Sequence, residues 1–102
     1  MSAVNSLVKS IKHRFDHEAA KKLLKEKYEA KLLFAMDGGM WNAGPELICV
    51  LSNYDTEEIV LVDTYGNPCR VNRENLLFSA KARYQEQLNQ WEAELQSISR
   101  KR

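Results

Sequence analysis

With 102 residues, 44% of them hydrophobic and 28% charged, the chain has the size and composition of one globular domain, 1–102, and not those of a disordered segment. No apolar run approaches the roughly eighteen residues of a membrane span. The start, MSAVNSLVKSIKHRF, lacks the apolar core and cleavage site of a signal peptide. The formal net charge is only +1 but is unevenly spread. Residues 1–31 carry eight Lys/Arg against four Asp/Glu, residues 32–75 two against seven, and residues 76–102 five against three. Basic ends therefore flank an acidic middle, a polarity that can steer partners or drive head-to-tail self-association. Cys49 and Cys69 have no CxxC spacing. They read as buried thiols of a reduced intracellular protein, with one disulfide as the other reading.

From Ala3 to Lys31 there is neither Gly nor Pro. Val4, Val8, Ile11 and Phe15 recur at spacings of four, three and four, and Leu7 widens the stripe, which predicts one helical face. Ala20, Leu23, Leu24 and Tyr28 resume the pattern. Asp16, followed by Glu18, has the chemistry of a second N-cap. One long helix over 1–31, with room for a bend near Asp16, is the expectation. Leu32 to Met36 then runs into Asp37-Gly38-Gly39, and Met40-Trp41 follow. Asp-Gly between apolar runs predicts a tight hairpin, because glycine accepts the positive φ of the primed turns.

Gly44-Pro45-Glu46 opens "LICVL". Proline tolerates the first helical turn and glutamate suits its positive end, which predicts a short helix over Pro45 to Ser52. Ile48 and Val50 suit a strand as well, so that alternative stays open. Glu58 to Val62 is the clearest strand. Asp63 fits the first position of a type I turn and Gly66 a left-handed bulge position. Pro68 suits a strand start, Cys69 to Val71 the return strand, and Asn72 an N-cap with Glu74 in the first turn. The two hairpins are expected to share one small antiparallel sheet. From Arg73 to Ile98 the chain reads as helix. Leu77, Tyr84, Trp91 and Ile98 repeat every seven residues, with Leu88 and Leu95 at the complementary positions and Lys81 interrupting them. Gln85, Glu86, Gln87, Asn89 and Gln90 fall on the wet side, and Ser97 to Arg102 read as a frayed basic tail.

Chemistry-bearing constellations are sparse. His13 and His17 stand one turn apart, but no third ligand lies at a convincing spacing, so no metal is expected. Asp37-Gly38-Gly39 lacks the ending of a phosphate loop, and Cys69 has no flanking signature of a nucleophile. No cofactor and no enzymatic activity are expected. Lys21, Lys22, Lys25 and Lys27 can meet phosphates, although Glu26 and Glu29 dilute the field and no aromatics are interleaved for stacking. The stripe Tyr84, Leu88, Trp91, Leu95 and Ile98 is the largest apolar commitment. Together with the first helix it offers more surface than two small hairpins can cover, which points to a partner chain or a second copy.

In that order, "PELICVL", "VDTYGNP", "VNRENLL" and "AKARYQEQLNQW" resemble small proteins of contractile-tailed phages, of myovirus type, over Pro45 to Trp91. The resemblance implies a virion component or assembly factor, found in the host cytoplasm or the virion. It brings no active site, and residues 1–31 add nothing to it. The expected fold is α+β: a helix over 1–31, a hairpin region with a short helix over 32–72, and a helix with a basic tail over 73–102. The expected function is non-enzymatic protein–protein interaction or assembly through apolar helix faces. The alternative is a nucleic-acid-binding accessory protein using the basic helix faces.

Overall fold

The computed structural model describes the backbone of residues 2–100 and the side chains of residues 16–99. The fold is α+β, in the order α1 (Ser2–Ala30), β1 (Leu33–Met36), β2 (Gly39–Asn42), α2 (Pro45–Ser52), β3 (Glu58–Val62), β4 (Pro68–Asn72) and α3 (Arg73–Arg100). α1 runs unbroken through Asp16, with no Gly or Pro to stop it. The side chains of the Val4–Phe15 stripe and of His13 lie outside the described residues. Residues 45–52 are helix, with Pro45 in the first turn.

Both hairpins form where the turn chemistry places them. Asp37 and Gly38 take φ of 53° and 78°, and Met36 pairs with Gly39 across the two-residue loop. In the second hairpin the Gly66 N–H donates to Asp63 O at 3.0 Å, and Asp63 N to Asn67 O at 2.9 Å. Gly66 stands at φ 83°, the left-handed position expected of it. β4 begins at Pro68, opposite Val62.

The hairpins do not share one sheet, contrary to expectation. They form two separate two-stranded sheets. The reason lies at Met40. Its N–H donates to Asp63 Oδ2 at 3.1 Å, while Thr64 N donates to Met40 O at 2.9 Å. The turn of one hairpin thus occupies the edge of the other, so no strand can continue the ladder there. Gly39 makes this junction possible. A Cβ on it would stand 2.8 Å from Trp41 Cζ2 and 3.1 Å from Cys69 Sγ.

The core is small: Trp41, Leu51, Val71 and Leu76, ringed by Phe34, Met36, Leu47, Ile59, Leu61, Cys69 and Leu77. It joins both hairpins and α2 to the first turns of α3. Asn72 caps α3, its side chain accepting from Asn75 N at 3.0 Å. Arg73 ties the same corner together. Its backbone N donates to Glu57 O at 2.8 Å, its Nε to Thr56 O at 2.9 Å and its Nη1 to Leu51 O at 3.3 Å. α3 differs from expectation in two places. Gln87 is buried, not on the wet side, because it lies with Tyr84, Leu88 and Trp91 facing Tyr28 and Leu32. The segment from Ser97 to Arg100 is helical, not frayed; Leu95 and Ile98 are half-buried there, and no Gly or Pro interrupts it.

Cys49 and Cys69 are both free thiols. Cys69 is half-buried, but Cys49 is exposed, against expectation, because it lies on the outer side of the short helix.

Candidate interaction surface

α1 and α3 run antiparallel. Arg83 Nη1 donates to Lys31 O at 3.0 Å, Tyr28 stacks on Trp91 with ring centroids 6.2 Å apart and planes 8° from parallel, and Lys27 Nζ meets Glu94 at 2.7 Å. Glu94 also accepts a hydrogen bond from the Tyr28 hydroxyl. Lys27, and then Tyr28, hold the Glu94 carboxyl below its ordinary range. The Glu94 carboxylate in turn raises both the lysine and the phenol. Lys27 and Lys31 place their ammonium groups 5.1 and 5.0 Å from the Tyr28 ring centroid, a cation–π arrangement. This clip fixes the register of the two helices.

The register has a consequence for length. Carried to Arg100, it brings the end of α3 to about the level of Ala20 in α1, and the earlier part of α1 runs on for roughly 25 Å. The molecule is accordingly a rod of 69 × 24 × 20 Å. The hairpins and α2 form a head at one end, and α1 with α3 forms an arm. The head carries most of the acidic residues of 32–75, and the arm carries the basic segments 1–31 and 76–102.

Of the five apolar anchors read from the sequence, Tyr84, Leu88 and Trp91 come together. They line a concavity of about 180 Å³ with Tyr28, Leu32 and Pro45. Pro45 also borders a wider groove of about 540 Å³ that passes Trp41, Glu46 and Leu47 to Val62 and Thr64. The two share Pro45 in their linings; Glu29 lines the first, and Glu46 and Asp63 the second. Leu95 lies apart, in an open trough with Glu92, Gln96 and Ser99. Ile98 is half-buried one turn further along. Trp91 spends one face on Tyr28, so it serves the arm as well as the smaller concavity.

The lysines divide differently. Lys21, Lys22 and Lys25 are exposed and lie within about 100° of one another around the helix. Lys21 and Lys25 make loose pairs at 3.9 Å with Glu18 and Glu29, of little energetic weight at such exposure. Lys27 faces the arm seam and is taken up by Glu94. His17 is half-buried. Among the described residues no cluster of three His, Cys, Asp or Glu side chains is placed to hold a metal ion, and no helix is long and apolar enough to cross a membrane.

Sequence reasoning missed the apolar outer face of the second hairpin. Val60 and Val62 are 52% and 66% exposed, and Phe78 on α3 is 77% exposed. The signal was present, since Ile59 to Val62 is apolar at both parities and a two-stranded sheet covers only one face. The role of the Asp63 side chain was also missed: turn propensity shows where Asp63 sits, and not that its carboxylate reaches another hairpin. The chain matches no protein-family model, no curated protein and no solved structure.

Proposed function

We propose that the chain is a non-enzymatic interaction or assembly protein, a structural or assembly component of a contractile-tailed phage, that acts by docking apolar helix faces. The observation that carries this reading is shape. A compact chain of this length has a radius of gyration of about 13 Å, whereas this one has 19.7 Å. A chain that spends so much of its length on an extended arm, with a central cluster of four buried residues among the described ones, presents surface instead of enclosing a reaction chamber. The concavity lined by Tyr84, Leu88 and Pro45 is the docking feature on that surface. The test is light scattering after size exclusion, combined with retention of proteins from the chain's own source by Leu88→Asp and wild-type chains. Association that Leu88→Asp weakens supports the reading. A wild-type chain that stays at 11.8 kDa and retains nothing refutes it.

A second reading rests on Lys21, Lys22 and Lys25, exposed on one side of α1. These would serve a nucleic-acid-binding accessory protein. Its affinity would fall steeply with salt as phosphate contacts release counterions, and would be abolished by reversing the three lysines to glutamate. Absence of binding at low salt removes this reading.

A further inference from the structure

The second hairpin leaves the edge of β3 open. Asp63 N donates to Asn67 O at one end of the β3–β4 ladder and Arg73 N to Glu57 O at the other. Between them Leu61 pairs with Cys69 and Ile59 with Val71. Along an antiparallel strand, residues alternate between bonding across the ladder and pointing their N–H and C=O away from it. Residues 57, 59, 61 and 63 therefore bond to the returning strand, and Glu58, Val60 and Val62 turn their N–H and C=O groups outward. The sheet has no third strand, and among the described residues no turn or loop backbone group bonds to these outward groups.

Natural sheet edges are blunted by proline, lysine or a bulge. The β4 edge begins at Pro68 and runs directly into α3, but Ile59 to Val62 contains no such residue. The open edge stops where the first hairpin meets it, because Thr64, next in the same phase, gives its N–H to Met40 O. An added strand thus has room for about five residues, opposite Glu58 to Val62.

Backbone geometry fixes the shape of the occupant, and the side chains fix its chemistry. Outward N–H and C=O groups at every second residue are met by an extended segment. A residue opposite Val60 or Val62 shares the face on which these valines are 52% and 66% exposed, which calls for β-branched apolar side chains. A residue opposite Glu58 meets a carboxylate whose pairing with Arg70 is loose, at 3.8 Å, and exposed. Asp55 and Glu57 are exposed just before it, and Glu46 lines the groove that opens at Val62. Residues 32–75 as a whole carry two basic against seven acidic groups. That charge opposes a second copy of the same edge, which would bring two acidic heads together, and favours a basic chain.

We infer that the β3 edge, from Glu58 to Val62, docks a basic extended segment of another protein, which pairs antiparallel with apolar residues opposite Val60 and Val62 and a lysine or arginine opposite Glu58. This interface is separate from the helix face that Leu88→Asp tests, and neither depends on the other.

The probe is a synthetic peptide, Val-Thr-Val-Thr-Lys-Lys, capped at both ends and added to the full-length chain. Amide shifts of residues 58–62 should move saturably at millimolar peptide and low salt, and the affinity should fall as salt rises. N-methylation of the second valine, whose N–H faces the edge, should abolish binding. N-methylation of the first threonine, whose N–H faces away, should leave it. Val60→Pro removes an outward N–H and spares the ladder to β4, so it should weaken binding at least roughly tenfold with unchanged circular dichroism. Glu58→Lys should weaken the lysine peptide and strengthen one with glutamates in place of its lysines. Leu88→Asp should bind the peptide like wild type.

Four results overturn the inference: no saturable shift in residues 58–62, equal binding of the two N-methylated peptides, equal binding of the lysine and glutamate peptides to wild type, or self-association of wild type that Val60→Pro abolishes. The last would make a second copy the occupant. If Val60→Pro unfolds the chain, the two N-methylated peptides decide the question on wild type.

Discussion

Asp63 carries more of the fold than its place in a turn implies. Its carboxylate accepts from Asn67 N at 2.8 Å, Tyr65 N at 3.0 Å and Met40 N at 3.1 Å. Two of these bonds close its own turn, and the third joins the hairpins. The donors from Asn67, then Met40 and Tyr65, hold the carboxyl below its ordinary 3.8 against the opposing effect of desolvation. A carboxyl depressed on folding stabilises the native state above its unfolded value, and that contribution disappears as pH falls through the folded value. Urea midpoints of the wild type should therefore drop as pH is lowered below about 4, and Asp63→Asn should show a shallower drop from a lower starting point. Amide exchange at Met40 should quicken in the same variant. Glu94, also depressed, adds its own acid loss, which Glu94→Gln isolates. Gly66 is a simpler case. No atom lies within 4 Å of a Cβ built there, so Gly66→Val acts through its φ of 83° alone and should destabilise by about 1–3 kcal/mol. A Gly66→Val chain that melts with wild type would mean that the turn tolerates a β-branched residue, against the argument from backbone strain.

Elements were legible in the sequence wherever a local rule fixes them. Asp37-Gly38, Gly44-Pro45, Gly66 and Asn72 each mark a boundary through backbone chemistry that acts within a few residues, and each boundary stands there. Asn72→Ala should accordingly cost about 0.5–2 kcal/mol through the lost cap, with faster exchange over the first turns of α3. What depends on distant chain was not legible. The seven-residue stripe of α3 was read as one surface, but Trp91 goes to Tyr28, Leu95 to a separate trough, and the most buried positions are Leu76 and Ala80. Nothing local distinguishes a heptad position facing the chain's own first helix from one facing outward. Gln87 entered the seam for the same reason. It lies where the register of α1 brings Tyr28, and glutamine by itself signals water. Trp91→Ala therefore tests two roles at once. It should quicken amide exchange through residues 20–30 of α1 as well as weaken association, whereas Leu95→Ala should disturb α1 less.

At the scale of the whole molecule, the offset between α1 and α3 decides the shape. A helix of 29 residues and one of 28 could lie side by side and give a short, thick bundle. The Tyr28–Trp91 and Lys27–Glu94 contacts instead slide them apart, and the acidic head and basic arm end up toward opposite ends. The charge asymmetry read along the sequence thereby becomes a dipole in space. Charges of opposite sign on two rods attract over a distance set by salt, about 10 Å at 0.1 M. At high salt and extrapolated to zero concentration, small-angle scattering should return a radius of gyration near 19.7 Å and a longest dimension near 69 Å. At low salt and rising concentration, antiparallel pairing should thicken the cross-section while leaving the longest dimension nearly unchanged. End-to-end pairing would lengthen the particle at constant thickness. Lengthening would show that the dipole orders the rods in line, so the direction of growth alone separates the two arrangements.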